Sequence, residues 1–243
     1  MISFFLNIFS EIVDIFVFCV YNSYWEVIVL QGTMKRSATV QAVLPLLRHD
    51  IITGKLENDL PVTEIVFSET YGCSRAALRG AINILEQEGL IKVMPNGTKK
   101  ICSLSNNDIN NLYELRSFVE CTAAKQILSK KNMDISRLIA VLETSDKSTT
   151  IDFIDADAMF HETLVELSGN KALMQVWKTF MPVMRELFLI NFSVAEKMEE
   201  SLTDRHMHLA KLLFDRDDTV INVLKAHIEE ARALSTGKNN FDI

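Results

Sequence analysis

The chain has 243 residues, 48% of them hydrophobic, with only 8 Gly and 4 Pro. There is material for two domains with buried cores, and the scarcity of breakers favours long helices with short connections. The formal net charge of −7 excludes a uniformly basic nucleic-acid binder. The four cysteines form neither a CxxC pair nor an even framework, so they read as reduced thiols of a cytoplasmic protein.

The charge is unevenly spread. Residues 1–33 hold three acids (Glu11, Asp14, Glu26) and no Lys or Arg. Residues 34–104 hold nine basic and seven acidic residues, and residues 105–243 hold sixteen basic and twenty-two acidic ones. Only the middle segment is positive, and by little. Any affinity for a polyanion there comes from a few placed cations, doubled by dimerisation.

Residues 1–33 are apolar and aromatic. They lack the basic start of a secretory signal, and their acids interrupt any clean membrane span. Two readings stand. Either the segment is a non-native extension ahead of a start at Met34, or it is a membrane-associated amphipathic anchor. The first is preferred, and no membrane partner is expected.

Residues 34–104 form the first unit. Val43, Leu44, Leu47 and Ile51 make a helical stripe over 40–53, with Pro45 near its start and Gly54 as its cap. Thr63 opens a short helix through Glu69. Tyr71-Gly72-Cys73 is a tight turn, and Ser74 is the N-cap of a further helix. That helix places Leu78, Ala81, Ile82 and Leu85 on one face and Arg75, Arg79 and Asn83 on another. Its bases lie at the start and its acids, Glu86 and Glu88, at the end. This opposes the helix macrodipole, so the cations serve something other than helix stability. Nucleic-acid phosphates and base edges, met by the helix N-terminus, are the natural target. Asn96–Gly97, between short β-prone runs, predicts a hairpin, with Lys99 and Lys100 on the return strand. Helix, glycine turn, helix and hairpin make a winged helix-turn-helix.

ITGKL at 52–56, LP at 60–61, YGCSRAALRGAINILEQEGLI at 71–91 and NGT at 96–98 resemble the winged-helix domain of the GntR family of transcription regulators. The resemblance implies that Arg75 and Arg79 of the recognition helix and Asn96 and Gly97 of the wing face DNA; Ser74, which caps that helix, and Lys99, on the return strand of the wing, are counted with them from their positions. The family's acidic-Arg-acidic cluster at the start of the second helix also carries a DNA contact. Here that stretch is Thr63-Glu64-Ile65, which lacks the arginine.

Residues 105–243 read as an all-helical bundle of six or seven helices, without a convincing strand. Asp157 and His161, four apart, share a helix face that Ile154, Leu164 and Val165 place near the core. His206 and His227 flank the turn at 215–218 at nearly equal distances, so an antiparallel pair brings them to similar height. His208 lies about 200° round the helix from His206 and cannot also point inward, given about 3.6 residues per turn. One carboxylate and three histidines inside a bundle suit Zn²⁺, with Ni²⁺ or Mn²⁺ as alternatives. Arg116 shares a face with Leu112 and Val119 and could fix a carboxylate ligand or form a buried structural ion pair. Asn191 is the second candidate effector contact.

LYELRSFVE at 112–120, the Asp157 to His161 spacing, SGN at 168–170 and His206 to His227 resemble the FCD effector domain of FadR-like GntR regulators. The resemblance implies a metal held by Asp157, His161, His206 and His227, with a small organic acid above it. The family spacing between the last two histidines is commonly one residue longer, which keeps His208 as an alternative to His206. The expected function is a homodimeric regulator that reads a palindromic duplex operator and is no enzyme. The competing function is a metal-dependent hydrolase of a small carboxylate. Against it stands the lack of a general base beside the site.

Overall fold

The computed structural model describes residues 39–131, 134–144, 150–192 and 199–236, with side chains described outside 144–153 and 191–203. The segment 1–33 lies outside the described residues.

Helix α1 (Val40–Ile52), α2 (Glu64–Thr70) and α3 (Arg75–Gln87) precede an antiparallel hairpin of β1 (Ile91–Val93) and β2 (Lys99–Ile101). The apolar face expected of α3 is buried, with Leu78, Ala81 and Leu85 fully covered. Gly80 permits this packing, since a Cβ there would meet Val40 Cγ2 at 2.7 Å. The Ser74 side chain accepts from the Ala77 amide at 3.1 Å, a genuine N-cap. In the hairpin Ile91 pairs with Ile101 and Val93 with Lys99. The connection is five residues long because Met94 N donates to Thr98 O and Gly97 N to Met94 O, closing a turn over Pro95–Asn96. Gly97 sits at φ +81°, a conformation that disfavours a side chain. The segment 59–62 flanks β2, with Val62 N donating to Lys99 O and Ile101 N to Leu60 O.

Among the described residues six helices follow: α4 (Asn106–Ser129), α5 (Ser136–Thr144), α6 (Thr150–Leu167), α7 (Lys171–Phe192), α8 (Glu199–Phe214) and α9 (Val220–Thr236). A capping box opens α4, in which Ser105 and Asp108 satisfy each other's backbone amides. Asn170 Oδ1 accepts from the first amides of α7. α4 packs on α9 and α6, and α8 packs on α9 and α4, so α4, α6, α8 and α9 surround one interior, with α7 packed against α6. Pro182 lies within α7, and Pro45 within α1. No helix among the described residues is long and apolar enough to cross a membrane.

Candidate metal centre and nucleic-acid interface

Asp157 and His161 project from α6, His206 from α8 and His227 from α9. Their ligand atoms all lie within 4.8 Å of one another. His206 Nε2 is 3.2 Å from His227 Nε2 and 3.3 Å from Asp157 Oδ1. His227 Nε2 is 3.3 Å from His161 Nε2, which is 3.7 Å from Asp157 Oδ1. Tetrahedral Zn²⁺ with bonds of about 2.0–2.1 Å would hold its donors about 3.3–3.4 Å apart. The donor set and its spacing therefore fit a divalent ion. His161 is fully buried and His206 is 3% exposed, while His208 faces solvent, which separates the two candidates. Phe160 stacks on the His206 ring at 4.3 Å and keeps that side dry.

The protonation states suit metal binding. Burial, reinforced by the nearby Arg116 charge, holds His161 well below the usual imidazole range. Burial and the neighbouring His161 and Arg116 push His227 down to about 3. Both rings are therefore neutral, the form that ligates. Burial raises Asp157 to about 6, with Arg116 pulling it down and Glu120 adding to the rise.

Behind the donors stands a residue that the sequence reading did not single out. Glu120 is completely buried on α4. Its Oε2 lies 2.6 Å from His161 Nδ1, and its Oε1 accepts from Arg116 Nε at 2.6 Å. Burial raises the Glu120 carboxyl while Arg116 draws it back. A carboxylate accepting from Nδ1–H leaves the Nε2 lone pair free for a metal. The available signal was the i, i+4 spacing of Arg116 and Glu120 on one helix face. Arg116 is thus an ion-pair partner, 4% exposed, and its net upward shift comes from Glu120 and Asp157 outweighing its burial. Among the described residues, no hydrogen bond engages its two terminal nitrogens. Its neighbour Tyr113 shares a hydrogen bond with Ser235 on α9 at 2.7 Å. His227 Nδ1 is buried without a partner among the described residues. The Asn191 side chain lies outside the described residues.

In the first unit Arg75 and Arg79 both face solvent at the start of α3. Arg79 is not free, because its Nε and Nη2 donate to the two Glu64 oxygens at 2.9 and 2.7 Å. Lys99 pairs with Glu86. The Arg79 hydrogen bonds lower the Glu64 carboxyl, and Lys99 and Arg75 add to this at longer range, so Glu64 stands among all three cations. Asn96 and Gly97 are exposed at the wing tip, where Asn96 Oδ1 accepts from the Thr98 amide at 3.0 Å. Ile65 and Val66 are exposed on α2 beside this face, at 48% and 55%.

Residues 111–230 match the family model described as the FCD domain. The chain is 26% identical over 210 residues to the gluconate operon transcriptional repressor of Bacillus licheniformis, covering 82% of this chain and 86% of that one. The chain belongs to the GntR family of transcription regulators and carries an FCD domain. This GntR regulator is also 28% identical over 174 residues to the Nta operon transcriptional regulator of Aminobacter aminovorans, covering 70% of this chain and 81% of the relative. The same fold occurs in Lar of Listeria monocytogenes, with TM-score 0.65 and 18% identity over 83% of this chain and 98% of that one. It occurs again in a GntR regulator from Rhodococcus, with TM-score 0.55 and 21% identity over 83% of this chain and 99% of that one. The relatives are regulators by name, which favours DNA-binding regulation over hydrolysis.

Proposed function

We propose that this regulator grips duplex DNA through Ser74, Arg75, Arg79, Asn96, Gly97 and Lys99. A small organic acid adjusts the grip from a centre of Asp157, His161, His206 and His227 that holds Zn²⁺, or alternatively Ni²⁺ or Mn²⁺. The observation that supports this reading is the convergence of three histidine nitrogens and one carboxylate oxygen inside the bundle. A bound divalent ion would supply a positive anchor for a carboxylate group. Arg116, with its terminal nitrogens unengaged, supplies a second cation nearby, and Asn191 is the remaining effector candidate. Glu120 fixes the tautomer of His161 and the orientation of Arg116 at once.

On the DNA side, Ser74 caps the helix that presents Arg75 and Arg79. Arg79 and Lys99 exchange their acidic partners for phosphate or base edges when DNA arrives. The protein acts in the cytoplasm as a homodimer on a palindrome, which doubles a modest set of cations. An effector shifts operator affinity only by binding the two arrangements of the heads unequally. The Bacillus licheniformis relative is named for a gluconate operon, so hydroxy acids of that class are the first to test.

The test is a binding titration on operator DNA selected from a random duplex pool, with zinc-loaded protein and a panel of hydroxy and dicarboxylic acids. At least one acid should shift the midpoint, and the shift should vanish after chelation or in His161→Ala. Arg75→Ala with Arg79→Ala should abolish selective binding. Unchanged operator affinity in that double variant would overturn the DNA assignment.

A further inference from the structure

The two units meet at a joint of polar side chains. His49 on α1 lies with its Nδ1 2.7 Å from Glu186 Oε1 on α7, with the side chains 18% and 5% exposed. The residue before it, Arg48, turns the other way. Its Nε and Nη2 donate to both oxygens of Glu88 at 2.8 and 2.6 Å, and Glu88 closes the recognition helix α3. A parallel arrangement holds on α7. The residue before Glu186 is Arg185, whose Nε donates to Asp155 Oδ1 at 2.7 Å. Asp155 lies on α6, two residues ahead of Asp157 in the metal centre.

Successive residues on a helix point about 100° apart, so each of these neighbouring pairs bridges in two directions. The recognition helix is tied to α1 by a two-pronged, largely buried ion pair, α1 to α7 by the His49–Glu186 hydrogen bond, and α7 to α6, which carries Asp157 and His161, by a solvent-exposed ion pair. Separating the buried Arg48–Glu88 pair would leave an uncompensated charge, and parting His49 from Glu186 would leave a largely buried carboxylate without this partner, so both contacts hold geometry.

We propose that His49 and Glu186 are positioning residues for DNA binding. Their contact fixes the seat of the DNA-binding head on the effector domain and passes the state of the metal centre to α3. Arg48–Glu88 and Arg185–Asp155 are the two ends of this joint. The seating rests on the geometry alone, and the signalling rests also on the proposed metal centre.

Hydrogen exchange by mass spectrometry on the full chain tests it, with Zn²⁺ as the probe. In the wild type, Zn²⁺ should slow exchange in α6 and α9 by about tenfold or more and in α3 by about threefold, as expected when local openings are coupled. In Glu186→Ala and His49→Ala, α6 and α9 should still respond while α3 no longer does. Glu186→Gln, which keeps an acceptor for His49, should restore about half of the α3 response. A full α3 response in Glu186→Ala overturns the proposal, as does a silent α3 in the wild type when α6 and α9 respond. If α6 and α9 themselves ignore Zn²⁺, the metal reading fails and the urea dependence of exchange judges the seating. Openings of α3 and α7 should then coincide in the wild type and separate in Glu186→Ala, and failure to separate overturns the joint.

Discussion

Replacing Glu120 by Gln removes one negative charge and keeps the shape of the side chain. Both carboxylate oxygens are in use, one for His161 Nδ1–H and one for Arg116 Nε–H. Glutamine offers one oxygen and an NH₂ group that can only donate. If the oxygen stays with Arg116, the NH₂ faces His161 Nδ1. The ring must then carry its proton on Nε2, where the metal belongs. If the oxygen stays with His161, a donor faces the buried Arg116 guanidinium. Loss of such an outer-shell partner commonly costs about 10–100-fold in metal affinity, and this site sits at the upper end because the tautomer itself is at stake. Orphaning a buried cation also costs about 3–5 kcal/mol of stability, as when one partner of a buried pair is removed. Zinc affinity measured by chelator competition, with circular dichroism to confirm folding, reads the first effect. Adding Arg116→Met to Glu120→Gln removes the orphaned cation and frees the amide oxygen for His161. That double variant should recover affinity to within about threefold. A folded Glu120→Gln protein with wild-type zinc affinity would refute the reasoning.

Other consequences follow from the same geometry. Proton competition at the centre should involve few protons. Asp157 titrates at about 6, while His161 and His227 are already neutral well above their lowered values. Metal binds the deprotonated forms, so affinity is complete about a unit above pH 6, is halved near it and falls below it. Metal-affinity titration from about pH 7 to about 4.8 should show the proton on Asp157, a loss of about tenfold per pH unit once it is protonated. Three protons would mean that the histidines titrate near their ordinary 6.5. Chelation should lower the melting temperature by roughly 8–16 °C, if zinc at ~1,000 times its Kd contributes about 4 kcal/mol. Calorimetry with and without chelator measures this, and no shift would contradict a metal bound to the native state. Glu64→Gln should tighten DNA binding on the order of a few-fold by releasing Arg79, whereas Arg75→Ala should lower the salt slope by about one per contact. Salt-dependent titrations distinguish the two, and equal slopes for wild type and Arg75→Ala would remove Arg75 from the interface.

What could be read from the sequence divides along physical lines. The buried stripe Leu78, Ala81, Leu85, the Ser74 cap and the glycine turn are local features, and period, capping and φ rules make them visible in one dimension. Bringing Asp157 and His161 to one face needed only helical spacing, and His206 with His227 only a turn between antiparallel helices. Contacts across long separations were not visible. His49 and Glu186 lie 137 positions apart, and nothing local in either helix marks the other. Glu64 intercepting Arg79 depends on how α2 crosses α3, which spacing does not specify. Arg116 left two readings open from sequence; its i, i+4 spacing to Glu120 was the local hint, and packing shows that its Nε is committed there.

X-ray absorption at the metal edge of the purified full-length protein tests the central claim most directly. The centre predicts nitrogen and oxygen donors at about 2.0–2.2 Å, with imidazole scattering from three rings. A His161→Ala variant should lose one ring or the metal altogether. A spectrum dominated by sulfur or by water oxygens alone, or one unchanged in His161→Ala, would contradict the account.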